Sequence, residues 1–303
     1  MPGEFELIDW IRQTQRKSPM LELGIGDDLA ALNWPAGDLL LVGVDQVIDG
    51  VHFDSRVHSL NQIGRKAINR NLSDCAAMGC LPAAAVVAVA LPRDFSLDQA
   101  KELCEGLRQA GDLFQCPIIG GDTATWDGKL VLSVTILGRS AGVRPVTRAG
   151  AHPGDGIFVT GPLGGSILGR HLTFEPRITL GREIAPIASA MIDISDGLSR
   201  DLTHICRGSG VGATIEAGLV PIHPDAVELS RRDGVSALDH ALSDGEDYEL
   251  LFTSAGEVAS GIRIGQITNE NPRLQSEPGI LIYETNGTQR RLAALGWQHG
   301  IGR

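Results

Sequence analysis

Basic clusters are missing from this chain. Beyond short pairs such as Arg231-Arg232 there is no run of lysine or arginine, and 37 acidic residues outnumber 26 basic ones for a formal charge of −11. That balance excludes the positive face of a nucleic-acid binder. It also means that an anionic substrate would need cations to mediate. Long apolar runs are missing too: the longest, Leu81 to Leu91, contains Pro82 and falls short of the roughly 18 residues a membrane span needs. The opening MPGEFELIDW lacks the charged-then-apolar pattern of a secretory signal. Five cysteines (Cys75, Cys80, Cys104, Cys116, Cys206) form an odd set with no CxxC spacing. They read as reduced thiols, and with no membrane segment the expected location is cytoplasmic. Nucleotide-binding signatures are also absent. There is no GxxxxGK[ST] loop, GIGDDLA breaks the GxGxxG pattern, and neither HRD nor DFG occurs. Any bound phosphates would have to be held by metals, arginines and backbone amides.

What is present suits two α/β domains. A length of 303 residues fits two domains of ordinary size better than one. Aromatics make up only 4%, but 43% hydrophobic residues are enough for sizeable cores. The 38 glycines, with no repeat behind them, suggest tight turns and close backbone approaches to ligands. Residues 38–44 read as a buried strand ending at Asp45. From Leu60 to Met78 the apolar residues recur at helical spacing until Gly79 and Pro82 stop them. A strand at 83–91 follows, then a helix capped by Ser96. Ile118-Ile119 lead into a Gly-Gly-Asp turn and a strand over 129–137. The stretch 143–156, rich in Pro and Gly, reads as the junction between domains 1–145 and 146–303. Beyond it we expect strands at 156–160, 213–217, 248–253, 262–267 and 279–283. Helices are expected near 164–170, near 180–190 and after the DISDGL turn.

The aspartates carry the chemistry. Asp27 and Asp28 lie in GIGDD, Asp45 follows a strand, and Asp74 sits in the helical NLSDCAAMG. Asp122 follows Gly120-Gly121, while Asp193 and Asp196 bracket Ser195. Two carboxylates about 5 Å apart repel by roughly 3 kcal/mol at an effective dielectric of about 20. A converging set of five or six would need a counter-ion. Magnesium suits it, being a hard cation that takes carboxylates, phosphate oxygens and water. Taken singly, each Asp-Gly pair is also ordinary turn chemistry. Arg148, at the junction, is a candidate phosphate clamp or a plain surface arginine.

At these motifs the sequence resembles the thiamine-monophosphate kinases, members of the aminoimidazole-ribonucleotide-synthetase-like superfamily. The resemblance runs through GEFELI (3–8), GIGDD (24–28), VDQVIDGVHF (44–53), NLSDCAAMG (71–79) and IGGDT (119–123). It continues through VTRAGAHPGD (146–155), IDISDGLSRDL (192–202) and DGEDYELLF (244–252). It implies an N-terminal sheet domain that binds ATP and metal and makes a homodimer, and a C-terminal α/β domain that completes the substrate site. It implies ATP and thiamine monophosphate as substrates, and phosphoryl transfer driven by metals and positioning, with no catalytic side chain. Carried over by motif, Asp28, Asp45, Asp74, Asp122, Asp193 and Asp196 would bind several magnesium ions. Gly121, Asp122, Arg148 and Ser195 would contact ATP, and His52, Glu246 and Trp297 would contact thiamine monophosphate.

The chain departs from the family's usual pattern in two places. Gly43-Val44 stand where a Ser/Thr-Thr pair usually precedes the aspartate, so hydroxyl ligands are absent. The stretch from Gly164 to Pro176 is also shorter than usual. Two other readings stand beside the kinase: a superfamily relative that activates an amide or selenide, and a non-catalytic sensor of ATP or thiamine phosphates. The former branches carry a cysteine near the N-terminus or at the C-terminus, whereas this chain has none before Cys75 and ends in GIGR.

Overall fold

The computed structural model of the chain describes residues 4–23, 30–269 and 279–297. The chain divides into two compact units, one of residues 1–75 and 80–142 and the other of 76–79 and 143–303.

The first unit opens with helix α1 (Glu4–Thr14) and a short pair, β1 (Leu21–Leu23) and β2 (Ala31–Leu32). Then follow β3 (Leu40–Ile48), α2 (Leu60–Ala77), β4 (Leu81–Pro92), α3 (Leu97–Leu113), β5 (Ile118–Trp126) and β6 (Val131–Arg139). The strands form one sheet in the order β3-β6-β4-β5. Helix α3 begins where expected: the Ser96 side chain accepts from the Gln99 amide and Gln99 returns the bond, a capping box. Helices α2 and α3 cross closely, since a Cβ on Gly64 would meet the Leu103 carbonyl at 2.3 Å and one on Gly106 the Asn61 carbonyl at 2.1 Å. Strand β6 alternates strictly: Leu132, Val134 and Ile136 are buried on the helix side while Val131, Ser133, Thr135 and Leu137 are only half-buried. On β3, Val42 and Val44 are each 62% exposed on the side away from the helices. One face of this sheet is therefore open.

Two expectations need correcting here. Asp45 does not end its strand. β3 runs on to Ile48, because the backbone of residues 45–48 stays paired to β6 through partners such as Val134 and Ser133. The Gly-Gly-Asp segment is not a turn either; it lies within β5, with Gly120, Gly121 and Asp122 paired in parallel to Val86, Val87 and Ala88. The glycine there answers crowding rather than bending, since a Cβ on Gly121 would sit 2.1 Å from the Val87 carbonyl.

The second unit carries β7 (Gly156–Val159), a 3-10 turn over Ser166–Leu168, α4 (Arg170–Thr173), α5 (Ile178–Ile184), β8 (Ala190–Asp193) and α6 (Leu198–Ser209). It continues with β9 (Val211–Glu216), α7 (Pro224–Asp233), α8 (Ala237–Ser243), β10 (Leu250–Ser254), β11 (Ile262–Asn269), β12 (Ile280–Tyr283) and β13 (Gln289–Arg291). Its seven-stranded sheet runs β13-β12-β9-β11-β7-β10-β8, parallel only between β12 and β9. One core contains Leu198, Leu202 and Ile205 of α6 together with Ile157, Ile192, Ile215, Leu251 and Ile264 of the sheet. Alternation along the strands puts Phe158 and Phe252 on the opposite face, stacked with ring centroids 5.2 Å apart. The helix expected near 180–190 ends at Ile184: Ala185 still has helical backbone, but Pro186 has no amide to donate to the preceding turn, and β8 starts at Ala190. Helices α7 and α8 were not foreseen. Among the described residues no helix is long and apolar enough to cross a membrane.

Candidate active site

In the first unit, the turn after β3 sets up His52. Gly50, at φ +81°, donates its amide to the Phe53 carbonyl, and His52 Nδ1 accepts from the Ile48 amide at 3.1 Å. With Nδ1 used as an acceptor, the neutral imidazole carries its proton on Nε2, which makes that atom a donor. The buried Lys66 ammonium holds the His52 carbonyl at 2.5 Å, so the turn is anchored from below. Asp45 lies on the helix-covered side of β3 with Arg70 Nε 3.6 Å from its carboxylate. Asp74, on α2, faces the same side: a Cβ on Gly43 would lie 3.9 Å from its Oδ2.

Asp122 is placed differently. It shares a row across the sheet with Ala88, Ser133 and Gln46, whereas Asp45 pairs with Val134 in the neighbouring row. Successive rows point to opposite faces, so Asp122 stands on the open face and Asp45 on the covered one. They occupy opposite edge strands, three spacings or about 14 Å apart. Asp45 and Asp122 are thus not brought together within one unit, contrary to the expectation of a single converging set. Asp28 lies outside the described residues.

The second unit does gather its candidates. β8 delivers Asp193, buried, at its last position. The chain then turns through Ser195, Asp196 and Gly197 into α6, whose Asp201 accepts the amides of Asp196 and Gly197, both at 3.1 Å. Burial, then the charges of Asp193 and Asp196, push the Asp201 carboxyl well above the usual carboxylate range. Asp196, Asp201 and His204 offer ligand atoms that all lie within 4.8 Å of one another. Burial and the positive charges of Arg148, Arg200 and Arg207 hold His204 below its ordinary pKa against the pull of Asp196. The exposed Arg148 therefore belongs to this neighbourhood.

Two further segments meet the same turn. The Ser195 carbonyl accepts the Glu246 amide at 2.8 Å, and the Asp196 carbonyl accepts the Trp297 amide at 3.1 Å. The tail seats closely: a Cβ on Gly296 would lie 2.1 Å from the Asp196 carbonyl, and Ser199 Oγ holds the Leu295 carbonyl at 2.7 Å. Ser195, Asp196, Glu246 and Trp297 thus come from three distant stretches to one place. Glu246 and Tyr248 hold φ of +52° and +54°, an arrangement that costs on the order of 1–3 kcal/mol each for non-glycine residues. Asp201, His204 and Lys66 were not singled out from sequence. The Asp-x-x-His spacing of 201–204 puts two ligand types on one helix face and could have marked the first two.

Residues 26–140 match the family described as AIR synthase related protein, N-terminal domain. The chain is 43% identical over 266 residues to the thiamine-monophosphate kinase of Rhodopirellula baltica, covering 85% of this chain and 84% of that protein. The chain belongs to the thiamine-monophosphate kinase family. It is an enzyme with the two-domain α/β fold of that superfamily. The crystal structure of thiamine-monophosphate kinase from Stenotrophomonas maltophilia K279a superposes with a TM-score of 0.78 at 34% identity, over 96% of this chain and 98% of that one. A structure of AaThiL complexed with AMPPCP and TMP gives a TM-score of 0.78 at 30% identity, over 99% and 97%.

Proposed function

We propose that this enzyme transfers the γ-phosphoryl group of ATP to thiamine monophosphate, producing thiamine diphosphate and ADP. The observation that carries the reading is the meeting of Ser195 and Asp196 with Glu246 and Trp297 at one turn, in a chain of this family. The relative bound to AMPPCP and TMP supports the same substrate pair. An oxygen of the thiamine monophosphate phosphate forms the new bond to the γ-phosphorus while the bond from that phosphorus to the β–γ bridging oxygen breaks. The attacking oxygen is already anionic, so no general base is required, and positioning and electrostatics supply the catalysis.

The residues take roles that suit their chemistry. His52 Nε2–H donates to the substrate phosphate. Glu246 faces the thiazolium cation, with Trp297 offering its ring face. Ser195, Gly121 and Arg148 bind ATP. Asp45 and Asp74 on the covered side of the first sheet, Asp122 on its open face, and Asp193 and Asp196 in the second unit would hold separate magnesium ions, with Asp28 as a further ligand. The donor set fits that ion: all are hard oxygens, and the Asp201 carboxyl, raised first by burial and then by the charges of Asp193 and Asp196, sits where a cation would offset that repulsion. Bound magnesium supplies charge neutralisation for the triphosphate and the transferring group. Incubation with ATP, magnesium and thiamine monophosphate, followed by separation of the thiamine phosphates, tests the reading. Thiamine diphosphate and ADP in equal amounts are expected, and ADP without thiamine diphosphate would refute it.

The missing hydroxyls have a structural address. Val44 points to the open face, while Gly43 faces Asp74 with ordinary contact distances around it. Gly43→Ser is therefore the change expected to restore an oxygen ligand. One such ligand, comparable to a hydrogen bond of roughly 0.5–1.5 kcal/mol, should lower the half-saturating magnesium concentration about two- to tenfold. A magnesium titration identical to the parent's would show that position 43 takes no part.

We further infer a cytoplasmic homodimer. The open sheet face, with Leu40, Val42 and Val44 exposed, supports a second copy as its cover. The five cysteines form no disulfide, and four of them are buried, which supports a reducing compartment. Sedimentation at micromolar concentration should give a dimer; a monomer would contradict the assignment.

A further inference from the structure

The loop 246–249 is gripped residue by residue. His171 Nδ1 lies 3.2 Å from Glu246 Oε2, and Arg170 donates to Asp247 at 2.9 Å. Phe174 stacks on Tyr248 with ring centroids 3.8 Å apart, and Arg177 donates to Glu249 at 2.5 Å. All four partners come from residues 170–177, within and just beyond the stretch whose length departs from the family pattern. Each therefore acts on a loop in which two residues hold left-handed backbone.

His171 differs from the other three in what it holds. Arg170 and Arg177 grip buried carboxylates, and Phe174 grips a buried ring. Glu246 keeps about a quarter of its side chain exposed, at 24%, while His171 beneath it is buried at 1%. The second carboxylate oxygen, Oε1, accepts from the Tyr248 hydroxyl at 3.4 Å. The His171 ring nitrogen beside one oxygen and the Tyr248 hydroxyl on the other set the plane of a carboxylate whose open side remains available to a ligand.

We propose that His171 is a positioning residue for thiamine monophosphate: it orients the Glu246 carboxylate toward the cationic part of the substrate. This rests on the reading that Glu246 contacts thiamine monophosphate. Without His171 the carboxylate keeps its charge but swings among rotamers, so binding weakens while transfer from correctly bound substrate does not. ATP has no share in the contact.

The test is steady-state kinetics on His171→Leu, His171→Asn and Glu246→Gln, with melting temperatures recorded for each. His171→Leu should raise KM for thiamine monophosphate about tenfold, with kcat and KM for ATP within about twofold of the parent. His171→Asn should recover most of the loss, because its amide nitrogen stands where Nδ1 stood. Should His171→Leu fail to fold, His171→Gln replaces it: its amide reaches the Nε2 position, so it should behave as the defective variant while Asn does not. A rise in KM for ATP equal to that for thiamine monophosphate, or a loss confined to kcat, would overturn the proposal in favour of a general structural role. If Glu246→Gln raises KM and His171→Leu does not, the proposal falls and the Glu246 reading stands. If Glu246→Gln leaves KM unchanged, both fall together.

Discussion

Asp122→Asn and Asp45→Asn are each expected to lower turnover at least about a hundredfold while leaving the protein folded. Removing one group that stabilises transferring charge costs this much in comparable sites. The folding side follows from where the residues sit. Asp45 keeps a third of its side chain exposed beside Arg70 at 3.6 Å, and pairs of that kind contribute about 0–1 kcal/mol. Asp122 is exposed on the open face of the sheet, with Ala88 as its ladder partner. Neither change should move the melting temperature of the metal-free protein by more than a few degrees. Carboxylate crowding is instead concentrated in the second unit, where Asp193 and Asp196 press on Asp201. Near-normal turnover in either variant would remove that aspartate from the metal set.

Arg170→Met should cost up to about 3–5 kcal/mol of stability at alkaline pH, because it strands the buried Asp247 without its cation. Burial already pushes Asp247 up to about 7 against the pull of Arg170 and the Gly164 amide. The sign of the pH effect follows. A carboxyl raised in the folded state favours the protonated form, so its contribution is fully present below its unfolded pKa near 3.9. That contribution is lost as pH rises through about 7. Without Arg170 the folded-state pKa moves higher still. The deficit of Arg170→Met relative to the parent should therefore be small near about pH 5 and grow by about 1.4 kcal/mol per pH unit above about 7, until the variant's own raised pKa is passed. Thermal melts of both proteins across this range check it. An equal deficit at both ends would mean that Asp247 is not the group left stranded.

Local pattern carried the sequence reading where local forces decide the structure. Ser96 announces α3, and the apolar stretch 129–137 announces the strand that runs from Val131 to Arg139. The DISDGL turn was legible because a buried strand, two acids and a glycine at φ +112° follow one another in eight residues. Propensity misled at Gly120-Gly121, where glycine signals a turn but the cause is the Val87 backbone across the ladder. Strand order was not legible, so nothing in the sequence showed that β3 and β5 are opposite edges and that Asp45 and Asp122 face apart. The grip of residues 170–177 on 246–249 was hidden for the same reason. Its pairs lie more than 70 residues apart, and a lone His171 gives no local signal.

Direct transfer to thiamine monophosphate is tested most sharply by one single-turnover experiment. Excess enzyme is mixed with γ-labelled ATP, magnesium and thiamine monophosphate, quenched in acid at intervals, and separated into protein and thiamine phosphates. The account predicts that label leaves ATP and enters thiamine diphosphate at the same rate, with none on the protein at any time. Label held on the protein before thiamine diphosphate appears, or released as free phosphate instead, would contradict it.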